Sequence, residues 1–196
     1  MLKKLLWLLP LSFILCACPF ESTVPMESAP VEPIDSSMLG YWYGIIKDGS
    51  DFFGIEALDI TKQSDSTYSI TRYGKAIKGD IILPDTSYYT GYTSYIGQTR
   101  FMNVAGTLVT VTARGKKPPI VKTEKVYYIA KFEMRHDTLK MKAVAENFSP
   151  TRKGYRTSEE LKEAVTGYII QQQNIFDDTY SLSYRKIDRP KPLKPL

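Results

Sequence analysis

The stretch from about Met38 to about Asp188 predicts a mainly β fold, an antiparallel up-and-down barrel of about eight to ten strands with one α-helix near its C-terminal end. Three observations predict it. Short runs of alternating apolar and polar residues are punctuated by turn residues about every 8–12 positions. The composition favours a pleated, half-buried surface, with 14 tyrosines in 196 residues and many Thr, Ile and Val. A single stretch, close to the end, carries both a helix start signal and helical periodicity. A domain of about 150 residues buries roughly two thirds of its surface, so it folds without staples.

The elements follow in order. Leu39 to Ile46 is rich in aromatic and β-branched residues and reads as a strand, and Asp48-Gly49 within Lys47 to Asp51 is a hairpin signal. Phe52 to Thr61 returns with apolar residues on both registers. After a turn at Ser64-Asp65-Ser66, Thr67 to Tyr73 alternates, with Tyr68, Ile70 and Arg72 on one face. Gly74-Lys75 reads as a turn, and Ala76 to Leu83 as a strand ended by Pro84. Arg100 to Val104 and Thr107 to Thr112 read as strands broken at Gly106, and Gly115 to Pro119 as a loop. Lys125 to Met134 and Thr138 to Ala145 form a hairpin around Arg135-His136-Asp137. Thr157-Ser158-Glu159-Glu160 is a capping box, followed by Leu161, Ala164, Val165, Tyr168 and Ile169 at helical spacing. Tyr180 to Ile187 is the last strand, and residues 189–196 form a Pro- and Lys-rich tail.

The N-terminus predicts export. Met1 to Lys4 is a positive segment, and Leu5 to Leu15 is an apolar run interrupted by Pro10. That run falls well short of the roughly 20 residues that span a bilayer. The junction Leu15-Cys16-Ala17-Cys18 resembles the lipobox of bacterial lipoproteins, with Cys16 in a slot where other small residues are commoner. The resemblance implies a signal peptide over 1–17 and acylation of Cys18 by diacylglycerol and palmitate-like chains. Two or more chains anchor stably where one does not. Pro19 stands where an Asp resembles an inner-membrane retention signal, so the outer membrane is the expected location. Residues 18–37, with four prolines and four acidic side chains, read as a linker of about 24 Å as a coil or about 60 Å as an extended rod.

Gly40-Tyr41-Trp42 in the first strand and Arg185 in the last resemble the Gly-x-Trp and the closing-strand arginine of lipocalin-like domains. The resemblance implies that Trp42 and Arg185 close one end of a barrel spanning 38–188. The family places its helix after the eighth strand, whereas here a strand follows it.

Catalytic chemistry finds little support. His136 is the only histidine and sits beside Asp137 in a turn, where no aligned nucleophile is evident. The only cysteines are Cys16 and Cys18, so the domain has neither a disulfide nor a thiolate metal site. No phosphate loop, nucleophile elbow or calcium-loop spacing is present, and no cofactor, metal or catalytic residue is expected. Tyr88, Tyr89, Tyr92 and Tyr95 are the candidate ligand-binding residues, since aromatic bodies with polar tips suit amphipathic ligands at a barrel mouth. The basic balance of +5 fits a soluble surface or anionic partners, and nucleic acid is not expected outside the cytoplasm. The expectation is a membrane-anchored, non-enzymatic barrel that binds a small hydrophobic or amphipathic ligand. The alternative is a structural or protein-interaction lipoprotein with a filled barrel.

Overall fold

In the computed structural model, residues 19–48, 52–78, 81–115, 117–145, 148 and 154–190 are described. The signal segment, Cys18, the Gly49 to Asp51 turn and residues 191–196 lie outside them. Eight antiparallel strands close into a barrel in chain order: β1 (Gly40–Asp48), β2 (Phe52–Lys62), β3 (Tyr68–Lys78), β4 (Ile81–Ile96), β5 (Thr99–Arg114), β6 (Lys117–Arg135), β7 (Thr138–Val144) and β8 (Phe176–Ile187). Antiparallel pairing of β1 with β8 completes the ring, from Tyr41–Ile187 to Gly44–Tyr184. Closure removes the sheet edges that would otherwise invite pairing with other chains. One helix, α1 (Ser158–Ile170), lies between β7 and β8. It starts where expected: the Thr157 side chain accepts from the Glu160 N–H at 3.2 Å. Glu160 in turn accepts from the Arg156 N–H at 2.9 Å. No helix among the described residues is long and apolar enough to cross a membrane.

Several strand boundaries differ from expectation. Residues 74–75 do not turn. β3 continues to Lys78, and β4 runs through Pro84, which pairs with Lys75. Pro84 is tolerated because β4 is registered with β5 only from Thr90 onward, so its earlier part pairs with β3 alone. Similarly, Gly106 does not break β5, and Pro118 and Pro119 belong to β6.

Strand alternation sorts the apolar residues into two cores, one on each side of the wall. The inner core gathers Trp42, Leu58, Ile60, Tyr68, Ile70, Met102, Phe132, Leu139 and Tyr184. The outer core lies between the wall residues Ile96, Phe101, Ile129 and Val144 and the helix residues Leu161 and Val165. All five apolar residues predicted for the helix face pack there.

The stretch 19–37 is not a free spacer. It runs as a strap across the outer wall and around the barrel end. The Phe20 N–H donates to the Val144 carbonyl at 2.8 Å, and Ser22 and Tyr127 exchange two backbone hydrogen bonds at 2.8 and 2.9 Å. The Met26 N–H donates to Oδ1 of buried Asn103 at 3.0 Å, while Nδ2 of that amide donates to Ser94. The Tyr92 hydroxyl donates to the Glu27 carbonyl, and Lys162 of α1 pairs with the Glu27 carboxylate. Phe20 and Met26 are buried in the outer core. The strap then turns under the barrel, where a 3-10 turn at Ser36–Met38 feeds β1. The buried apolar anchors, Phe20 and Met26, are isolated among prolines and acids, so no periodicity announces them. The folded body therefore includes 19–37.

Candidate functional site

The end of the barrel where β1 begins is closed. Met38 joins the inner core, and the Trp42 indole N–H donates to its carbonyl at 2.9 Å. Arg100 lies over the Phe132 ring at 4.8 Å, bonds Asp35 at 3.0 Å and sits 3.8 Å from Glu32. Burial alone would raise the Asp35 carboxyl, but hydrogen bonds from Ser37 and Arg100 outweigh it and hold it below the usual range. The Tyr68 hydroxyl accepts from the Asp35 N–H at 2.6 Å.

Trp42 is fully buried at this end. Its cationic neighbour is Lys186, not Arg185. The register pairs Trp42 with Lys186 and Tyr43 with Arg185, so alternation sends Arg185 to the other face, where it is exposed. The Lys186 ammonium lies 5.3 Å from the indole centroid and donates to the Ser37 carbonyl at 2.7 Å. Gly40 makes this approach feasible. Its φ is +134°, and a Cβ there would lie 2.8 Å from Lys186 Cε. Lys186→Met is expected to cost about 1–2 kcal/mol, through the lost cation–π contact and charged hydrogen bond. Arg185→Ala is expected to stay within about 0.5 kcal/mol. Urea unfolding of the two variants checks this, and equal midpoints would refute the assignment.

The opposite half of the interior is built differently. Buried Glu56 on β2 accepts from Arg72 Nε at 2.6 Å and from the Tyr184 hydroxyl at 2.5 Å. Arg72 also bonds Asp85 at 2.7 Å, and Ser87 lies within 3.3 Å of the same carboxylate. Burial and the Glu56 charge push the Tyr184 hydroxyl well above its ordinary range, so it stays a donor. Burial opposes the charge on Arg72, but Glu56 outweighs it and raises the guanidinium pKa. Side-chain exposure is 4% for Glu56, 32% for Arg72 and 59% for Asp85. These groups share the inward register, and their exposure rises from Glu56 through Arg72 to Asp85.

The four candidate tyrosines do not converge. Tyr89 faces inward, covers Gly106 and meets the Tyr128 ring edge-on at 6.5 Å. A Cβ at Gly106 would sit 2.9 Å from the Tyr89 ring. Tyr88 faces outward and is 74% exposed. Tyr92 also faces outward but lies under the strap, where burial and the charges of Tyr127 and Glu27 push its hydroxyl up to about 12. Tyr95 belongs to the closed end, 5.9 Å from Arg100. Sequence reasoning does not pair Glu56 with Arg72. Their signal was a charge on the inward register of two adjacent strands.

His136 occupies the β6–β7 turn with a φ of 52° and is exposed. Beside it is an open hollow of about 380 Å³ lined by Glu133, Arg135, Asp137, Thr138 and Lys140. Lys131, by hydrogen bond and charge, holds Glu133 below the usual carboxylate range. Among the described residues, no group of three or more His, Cys, Asp or Glu is placed to hold a metal ion.

A closed eight-stranded antiparallel barrel with one helix, its base filled around a buried tryptophan, is consistent with a lipocalin-like fold. No family model, curated protein or solved structure matches the chain.

Proposed function

We propose that the protein is a lipid-anchored, non-enzymatic barrel of a bacterial envelope that holds one small amphipathic molecule in the open half of its interior. The carrying observation is the division of that interior. Large side chains fill one half, while inward-facing Arg72 and Asp85 in the other remain accessible to solvent. A bound molecule would direct its polar end at Arg72, Asp85 and Ser87, and lay its apolar body on Tyr89 and Tyr128. The lipobox resemblance at Leu15 to Cys18 supports the anchor. The long exposed hairpin of β5 and β6 favours a second reading, an interaction lipoprotein that acts through its surface.

Two measurements test the proposal. Cells grown with labelled palmitate should incorporate label into the full chain but not into its Cys18→Ser variant. Native mass spectrometry of the membrane-extracted protein should show a small molecule that is lost in Asp85→Lys. Label retained by the serine variant would refute the anchor, and a ligand-free mass would refute the cup.

A further inference from the structure

We infer that the distal part of the β5–β6 hairpin is a second membrane contact, which lays a valine-bearing, cationic ribbon into the headgroup region of an anionic bilayer. The ribbon is unpartnered among the named strands. β4 pairs with β5 only as far as Ala105, and β7 pairs with β6 only from Ala130. Beyond those limits, Thr107 to Thr112 pairs with Ile120 to Lys125 alone. Both faces are open there. Val111 and Val121 are cross-strand partners at 62% and 60% exposure, with Val109 beside them on the outer face and similarly exposed.

Exposed β-branched apolar residues need an occupant, and charge identifies it. Between Thr107 and Lys125 the chain carries Arg114, Lys116, Lys117, Lys122 and Lys125 against Glu124 alone. A one-sided excess of cations around a small apolar strip matches a negative lipid surface, where each Lys or Arg strengthens binding about fivefold. A second protein chain is the poorer match. Val and Thr are weak anchors compared with Trp, Tyr or Arg. Pro118 and Pro119 have no N–H to offer at the β6 edge. The ribbon's free backbone groups need water, so it lies among headgroups and does not enter the hydrocarbon.

The chain path points the same way. Ser22 is bonded to Tyr127 of β6, and Val121 lies six residues further along that strand, about 20 Å away. Position 18 precedes Ser22 by four residues, at most about 14 Å of extended chain. An acyl anchor there would hold the ribbon close to the bilayer and make its contact effectively intramolecular. This setting rests on the anchor proposed above, whereas the affinity of the ribbon for lipid does not.

The test therefore uses unacylated protein beginning at Pro19, which retains every described contact. Its binding is measured on vesicles of 3:1 phosphatidylcholine and phosphatidylglycerol and on pure phosphatidylcholine. Binding is expected only to the anionic vesicles and should weaken with salt. Lys125→Gln, on the face that carries the valines, should reduce it about fivefold. Val111→Asp with Val121→Asp should reduce it about tenfold or more. Both variants should keep the parent near-ultraviolet circular dichroism, because the ribbon supports no core. Equal binding to both vesicle types, or undiminished binding by the aspartate variant, would overturn the proposal and leave the palmitate result untouched. A dimer lost in that variant, without vesicle binding, would overturn it too and assign the face to a second copy.

Discussion

A chain carrying both Phe20→Ala and Met26→Ala is expected to lose most of its folding stability. Both side chains are buried between the outer wall and α1, far from where a spacer would place them. Phe20 meets Phe148 and Tyr155 edge-on at 5.3 and 6.1 Å, and Met26 is completely buried. Deleting such side chains costs about 3–5 kcal/mol for Phe and about 2–5 kcal/mol for Met, as lost transfer energy plus cavity. The two share one cluster, so their costs need not add. Even so, the total approaches the 5–15 kcal/mol, roughly, by which such domains are stable. Urea unfolding measures it, with Val31→Ala as the exposed control from the same strap. A combined loss under about 1 kcal/mol would show that the strap is dispensable. By the same reasoning a chain begun at Met38 should not fold, because its outer core and one end of its barrel are left uncovered.

Arg72→Met is expected to cost about 3 kcal/mol. Removing one partner of a buried ion pair strands the other, at about 3–5 kcal/mol in general. The low end applies because about a third of Arg72 is in solvent, which screens its share. Glu56 would keep only the Tyr184 hydroxyl. Arg72→Lys should restore little, since the guanidinium reaches Glu56 with Nε and Asp85 with a terminal nitrogen at once. Replacing Glu56 and Arg72 together with leucine should recover much of the loss, because no charge is then left buried alone. Thermal unfolding of the three variants decides the matter. A double variant no better than Arg72→Met would show that the cost lies in packing and not in charge.

The closed end shows how far local pattern reaches. The resemblance carried by Gly40-Tyr41-Trp42 implies Arg185 over the indole, whereas the cation over buried Trp42 is Lys186. The cation was misplaced by one residue. Arg185 and Lys186 are adjacent, and only the β1–β8 register decides which of them shares a face with Trp42. The tyrosines tell the same story on a larger scale. Tyr88 and Tyr89 are neighbours in sequence on opposite faces of β4, and Tyr95 has moved to the other end of the barrel.

What the residue order determined alone was the class of structure. Alternation, turn chemistry and a capping box are local signals, carried by neighbours within a few positions, and they specified a β-barrel with one late helix. Tertiary structure alone decided what depends on partners distant in the chain. It decided that the strap is part of the body, because Met26 meets Asn103 across 77 positions. It also decided that a charge network forms on the inward face, because Glu56 meets Tyr184 across 128. The physical reason is that burial and pairing belong to surfaces brought together by closure, and no short window of sequence contains both sides.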